Sequence, residues 1–164
     1  MNYNEAVSVL RGIPVFASFD TASLKMLAFS SSYLHLDDGE ALCHQGDPGD
    51  SVFVVYEGEV KVSLVLPDNG RIHLARLGRN DILGEMAVIC NLPRTADVHA
   101  CGPLKVLRIE GDVFLQLVTG NPEAALGMMR MLAERLVRFT EQYEQLRLRQ
   151  DIADPITPGP LPPS

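Results

Sequence analysis

Leu83-Gly84-Glu85-Met86-Ala87-Val88-Ile89-Cys90-Asn91-Leu92-Pro93-Arg94-Thr95-Ala96-Asp97-Val98-His99-Ala100 is the stretch on which the fold and chemistry of this 164-residue chain turn. A glycine ahead of a short helical run lets the backbone approach a ligand and leaves N–H groups pointing outward, as at an anion site. Nine residues after Glu85 comes Arg94, opening a β-branched run that reads as a strand over Arg94–Ala100. Arginine can grip two phosphate oxygens at once. A carboxylate beside a phosphate is repelled unless it accepts a hydrogen bond from a sugar hydroxyl on the same ligand. A helix start, an arginine and a carboxylate therefore describe a ribose-phosphate. The residues alone equally allow a structural Glu85–Arg94 ion pair beside a glycine turn.

On either side, residues 33 to 109 are built of short β-branched runs: Ser51–Glu57, Glu59–Leu66, Arg71–Leu77, Arg94–Ala100 and Leu104–Ile109. Gly58 is expected to turn the first pair into a hairpin, and Pro67-Asp68-Asn69-Gly70 the next. Many short strands at this spacing predict an α+β fold around a small antiparallel β-roll, jelly-roll-like, over 31–110. Val52, Val54, Val60, Val62, Leu74 and Val106 are its expected filling. Short helices precede it within residues 1–30: Asn4 is expected to cap Glu5–Leu10, and Asp20 or Thr21 a helix through Phe29. Ile13-Pro14-Val15-Phe16 between them is too short and Pro-broken for a helix and docks on the core. From Asp112 the period is helical again, giving C-terminal helices over 111–150: a short segment, Asp112–Val118, and a long helix that Asn121 and Pro122 start and that ends near Gln150. The chain reads as one domain over 1–150, followed by a disordered Pro-rich tail at 151–164.

The quoted stretch resembles the phosphate-binding cassette of the cyclic-nucleotide-binding domain family, the cyclic AMP receptor-like sensors. It keeps Gly84, Glu85, Met86, Ala87, Arg94, Thr95, Ala96, Val98 and Ala100, and departs at Leu83, where Phe is usual. Upstream, Gly46-Asp47-Pro48-Gly49-Asp50-Ser51-Val52-Phe53-Val54-Val55-Tyr56-Glu57-Gly58-Glu59-Val60 is similar to the family's recurring hairpin motif. The similarity extends over about residues 9 to 145. It implies a β-roll flanked by helices, with Gly84 and Glu85 on the ribose and Met86, Ala87, Arg94, Thr95 and Ala96 around the cyclic phosphate. The implied ligand is cyclic AMP, with cyclic GMP the second choice, because Thr95 discriminates weakly between the bases. For the base itself, Leu74, Phe139 and Thr140 are candidates alongside Thr95; ordinary core or dimer packing accounts for the first three as well. Some members of the family have lost their ligand with the Arg or Glu, and both are present here. A degenerate domain kept only for dimerisation is the alternative function.

Met129, Leu132, Leu136, Phe139, Tyr143 and Leu146 recur at 3, 4, 3, 4 and 3 residues, an a/d heptad stripe. A helix folded back on its own roll needs a stripe of similar width. The 3.5-residue period favours a parallel homodimer seam, and the resemblance points the same way. Ligand is expected to move this helix and so pass its signal to a downstream protein the sequence does not name.

Composition narrows the remaining choices. A net charge of −7 argues against a nucleic-acid surface. Only 14 residues follow Gln150, five of them proline, too few for a helix-turn-helix, so a stand-alone sensor or a regulatory piece of a longer protein is expected. No apolar run suits a membrane helix and the first residues lack a secretory pattern, so the expected location is the cytoplasm. Three cysteines without paired spacing signal neither disulfides nor zinc. The four histidines include no H-x-H pair, and Asp97 with His99 reads as a solvated strand face. No cofactor, metal or catalytic residue is expected, and no nucleophile elbow is present.

Overall fold

The computed structural model describes residues 1–153, with side chains through Arg149. The expected tail lies outside the described residues except at 151–153, which continue the last helix. The chain divides into two compact units, one reaching Met128 and a second beginning at Met129.

In the first unit, helix α1 spans Tyr3–Arg11 and α2 spans Thr21–Phe29. Asn2, not Asn4, caps α1. The Glu5 N–H donates to Asn2 Oδ1 at 2.9 Å and the Asn2 N–H returns a bond to the Glu5 carboxylate at 2.9 Å. That reciprocal box needs an acid three residues on; Asn4 would find Val7 there. Asp20 caps α2 as expected, accepting from the Ser23 N–H at 2.8 Å. Between the helices, Pro14–Phe16 forms a single 3-10 turn that buries Ile13, Val15 and Phe16. The Phe16 ring stacks on Phe19 and meets Phe114 edge-on.

The roll is a six-stranded antiparallel sheet: β1 (Ser31–Leu36), β2 (Ala41–Cys43), β3 (Ser51–Val65), β4 (Arg71–Leu77), β5 (Ile82–Leu83) and β6 (Asp97–Glu110). The strand order is β1-β6-β3-β4, with β2 on β6 and β5 on β3. The Pro67–Gly70 hairpin is present, its Leu66 N–H bonded to the Gly70 carbonyl at 2.8 Å. Gly58 is not a hairpin turn. It sits at φ +91° inside the continuous β3, where the pairing with β6 slips between Val55 and Glu59. A Cβ on Gly58 would collide with the Pro103 carbonyl oxygen, so only glycine lets the two strands cross this closely. The slip also changes which face the side chains take. Phe53 and Val55 before it, and Val60 after it, share one buried cluster with Cys43, Leu83, Val98, Ala100, Leu104 and Val106. Val60 and Val106 therefore fill the roll as expected, and Val62 packs on that cluster half-buried. Val52 and Val54 are buried but alternate to the opposite face, and Leu74 is half-buried on β4.

The runs expected at Arg94–Ala100 and Leu104–Ile109 are a single strand, β6, bent at Gly102 with φ +77°. It starts at Asp97 rather than Arg94 because Arg94's backbone is already engaged. Its N–H donates to the Asp47 carbonyl and its carbonyl accepts from the Gly46 N–H, both at 2.8 Å. Helix α3 spans Glu85–Cys90, α4 Gly111–Thr119 and α5 Pro122–Ala153. Asn121 caps α5 as expected, its Oδ1 accepting from the Ala124 N–H at 3.1 Å. Ala124 and Met128, one turn apart, anchor the first stretch of α5 in the core.

The second unit is the rest of α5 from Met129. It presents Met129, Leu136, Val137, Phe139, Tyr143, Leu146 and Leu148 as exposed large apolar side chains, while Leu132 is half-buried. Among the described residues, no helix is long and apolar enough to cross a membrane.

Candidate functional site

Gly84 links β5 to α3 in the left-handed region, at φ +82°. Its lack of a side chain matters for a second reason: a Cβ there would stand 2.5 Å from Arg94 Nη1 and 3.2 Å from the Ser51 carbonyl oxygen. Arg94 fills that space. It is only 5% exposed, a costly place for a cation unless its donors are engaged. Nη1 donates to the Gly84 carbonyl at 3.2 Å and Nη2 to Ser51 Oγ at 2.8 Å. The guanidinium also lies 5.0 Å over the Phe53 ring. Glu85, the first residue of α3, is likewise buried, at 3% exposure. The structure thus brings the expected arginine against the expected glycine turn, and it fixes the guanidinium from β3.

The other expected residues spread around this pair. Ala87 and Ala96 are buried, whereas Met86 and Thr95 are exposed. Ala87 packs against the loop between β2 and β3, since a Cβ on Gly49 would collide with its methyl group and with the Leu92 carbonyl. Phe139 and Thr140 belong to the second unit, where Phe139 is exposed and the Thr140 hydroxyl donates to the Leu136 carbonyl at 2.9 Å. Ser51 and Phe53, which hold Arg94, both lie in the quoted hairpin motif, where the sequence carries no sign of that role. Their contacts with Arg94 span about forty residues, and no local pattern announces them.

Below Arg94 the same loop meets β6. Asp97, expected on a solvated face, is instead 4% exposed. Its Oδ1 accepts the Gln45 N–H at 2.7 Å and its Oδ2 the Arg71 guanidinium at 3.0 Å. The Gln45 hydrogen bond foremost, with Arg71 adding to it, holds the Asp97 carboxyl below its usual range. Burial pushes the neighbouring Cys43 thiol up. At the far edge of α3 an open cleft of about 550 Å³ is lined by Gly49, Asp50, Leu92, Glu110 and Asp112 among others. Asp50 and Glu110 there are both paired with Arg108, at 3.2 and 2.6 Å.

Comparison with known proteins identifies the class. The family model described as cyclic nucleotide-binding domain matches residues 33–121, and the chain belongs to that family. Among solved structures it is similar to the regulatory domain of Toxoplasma gondii PKA with cAMP, at 25% identity and TM-score 0.71, over 80% of this chain and 50% of that one. It is also similar to the N-terminal domain of a transcriptional regulator from Streptomyces coelicolor A3(2), at 34% identity and TM-score 0.60, over 81% of this chain and 95% of that one. The sensor domain of the transcriptional regulator DNR from Pseudomonas aeruginosa, at 21% identity and TM-score 0.73 over 85% and 93%, shares the fold. Curated relatives include an uncharacterized NTE family protein of Mycobacterium tuberculosis, 30% identical over 80% of this chain. Another is that organism's CRP-like cAMP-activated global transcriptional regulator, 23% identical over 84%. The chain spans 22% of the length of the first and 62% of the second.

Proposed function

We propose that the chain is a sensor that binds cyclic AMP in preference to cyclic GMP, with Gly84 and Glu85 on the ribose and Arg94 on the cyclic phosphate. The observation that carries this reading is the buried Arg94 guanidinium, held by Ser51, the Gly84 carbonyl and the Phe53 ring, with Glu85 also buried next in sequence to Gly84. A preorganised fork of N–H donors suits two phosphate oxygens better than a lysine would. Thr95, Ala96, Met86 and Ala87 complete the phosphate surround, and Leu74 with Phe139 or Thr140 supplies the base contacts. The cAMP named for the Toxoplasma and mycobacterial relatives supports the choice of base.

Transmission runs through α5. Ligand orders the cassette and shifts the population of α5 positions, and α5 pairs with a second copy through its heptad stripe. A downstream protein then reads the change by contact. Calorimetric titration of nucleotide-free protein with cyclic AMP and cyclic GMP tests the first part. Saturable binding with a cyclic AMP preference is expected; no binding by either would leave a dimerisation module as the function. Hydrogen exchange tests the second: residues 122–150 change protection on adding ligand, and an unchanged profile rules the helix movement out.

A further inference from the structure

We propose that His44, Asp97 and His99 form a binding site for a divalent transition-metal ion of the zinc or nickel class. The three residues come from two places in the chain. Asp97 and His99 alternate onto one face of β6, and His44 follows the end of β2, which pairs with that part of β6. One ligand atom from each lies within 4.8 Å of the others. Donors around a zinc ion stand about 3.4 Å apart, from metal–ligand distances of about 2.0–2.1 Å. The His44 side chain is 61% exposed and free to rotate by that difference.

The donor chemistry fits. Two imidazoles and one carboxylate suit zinc, nickel or iron(II) rather than calcium or magnesium, and leave positions for water. The carboxylate is already oriented. Oδ1 lies 3.9 Å from His44 Nδ1 and accepts the Gln45 N–H on one lone pair, while Oδ2 holds Arg71. A metal on Oδ1 leaves the Arg71 bond in place as an outer-shell partner that fixes the ligand. The guanidinium charge opposes the cation, so micromolar rather than nanomolar affinity is expected. The simpler account is that Asp97 serves only to hold the Gln45 loop and that the two rings, 6.0 Å apart and edge to face, are an ordinary aromatic pair. The histidines separate these accounts, because loop-holding needs neither of them.

The site also touches the nucleotide cassette, although metal binding requires no nucleotide. The His44–Asp47 turn bonds both sides of the Arg94 backbone, so an ion on His44 ties the loop that positions Arg94. The test uses the full chain without an affinity tag, stripped by chelator, titrated with zinc and nickel chloride by calorimetry and with cobalt(II) by visible absorption. One saturable equivalent is expected, with a cobalt spectrum of nitrogen and oxygen ligation. His44→Ala and His99→Ala each weaken binding at least tenfold, whereas His35→Ala and His73→Ala leave it unchanged. Asp97→Asn also disturbs the Gln45 loop, so the histidine variants decide the matter, with circular dichroism confirming their fold. Absence of a saturable equivalent, or binding that survives the His44→Ala/His99→Ala double substitution, overturns the site.

Discussion

Arg94 is where burial, charge and backbone geometry meet. Its guanidinium occupies the space a Cβ on Gly84 would need, so Gly84→Ala acts on Arg94 as well as on a backbone at positive φ. Arg94→Ala removes a charge-assisted clamp, expected to cost about 2–5 kcal/mol of binding, on the order of 30- to several-thousand-fold in affinity. Arg94→Lys keeps the charge and loses the fork, so it is expected to fall between parent and Arg94→Ala in a calorimetric titration with cyclic AMP. Gly84→Ala should resemble Arg94→Ala in affinity while retaining the arginine. Should Arg94→Ala bind as tightly as the parent, the phosphate lies elsewhere. The cysteines make an independent check of burial. Cys43 is buried with its thiol pushed up, whereas Cys90 is exposed at the end of α3. The thiolate is the reactive form. Brief iodoacetamide treatment at neutral pH should therefore label Cys90 in the native protein and reach Cys43 only after unfolding, read by peptide mass spectrometry.

Glycines decide the elements, and they do so in ways that differ only in three dimensions. Gly58 and Gly102 both hold positive φ within long strands, +91° and +77°. A side chain on Gly58 meets the Pro103 backbone, while one on Gly102 meets nothing within 4 Å. Gly102→Ala is thus expected to cost about 1 kcal/mol of backbone strain and Gly58→Ala at least about 2, from the strain range of non-glycine residues there plus the collision. Urea denaturation midpoints would rank them, and equal losses would contradict the crossing geometry. The same pair explains what the sequence left illegible. A glycine between two β-branched runs looks alike whether the chain reverses or bulges, so β3 and β6 each read as two strands. The Pro67–Gly70 turn and the Asp20 and Asn121 caps were legible because their chemistry is complete within four residues. β2 and β5, three and two residues long, are too short for alternation to be read, and β1 alternates only over Leu34–Leu36. Within the candidate site, Gly84 and Arg94 announced themselves by residue type and spacing. Ser51, Phe53 and the union of His44 with Asp97 depend on pairing across the sheet, which no local window contains.

At the scale of the whole molecule, α5 beyond Met129 carries an exposed apolar stripe. Leu136, Phe139, Tyr143 and Leu146 are 65%, 51%, 60% and 55% exposed, on a 3.5-residue period. Fully burying such a side chain is worth about 1.5–3 kcal/mol, so the remaining exposed half of four per copy on both copies gives roughly 6–14 kcal/mol, the same size as an association cost of about 4–15 kcal/mol. A homodimer is therefore expected by sedimentation at micromolar concentration, and Leu136→Glu with Phe139→Glu should return a monomer. The same variant separates the two proposed roles of Phe139. If the residue serves only the seam, the monomer binds cyclic AMP about as tightly as the parent. If it also closes over the base, affinity falls with dimerisation, and Phe139→Leu, which keeps an apolar seam, lowers affinity while leaving the dimer intact. A parent protein that sediments as a monomer, with and without nucleotide, removes the seam altogether and leaves the exposed stripe to a different partner.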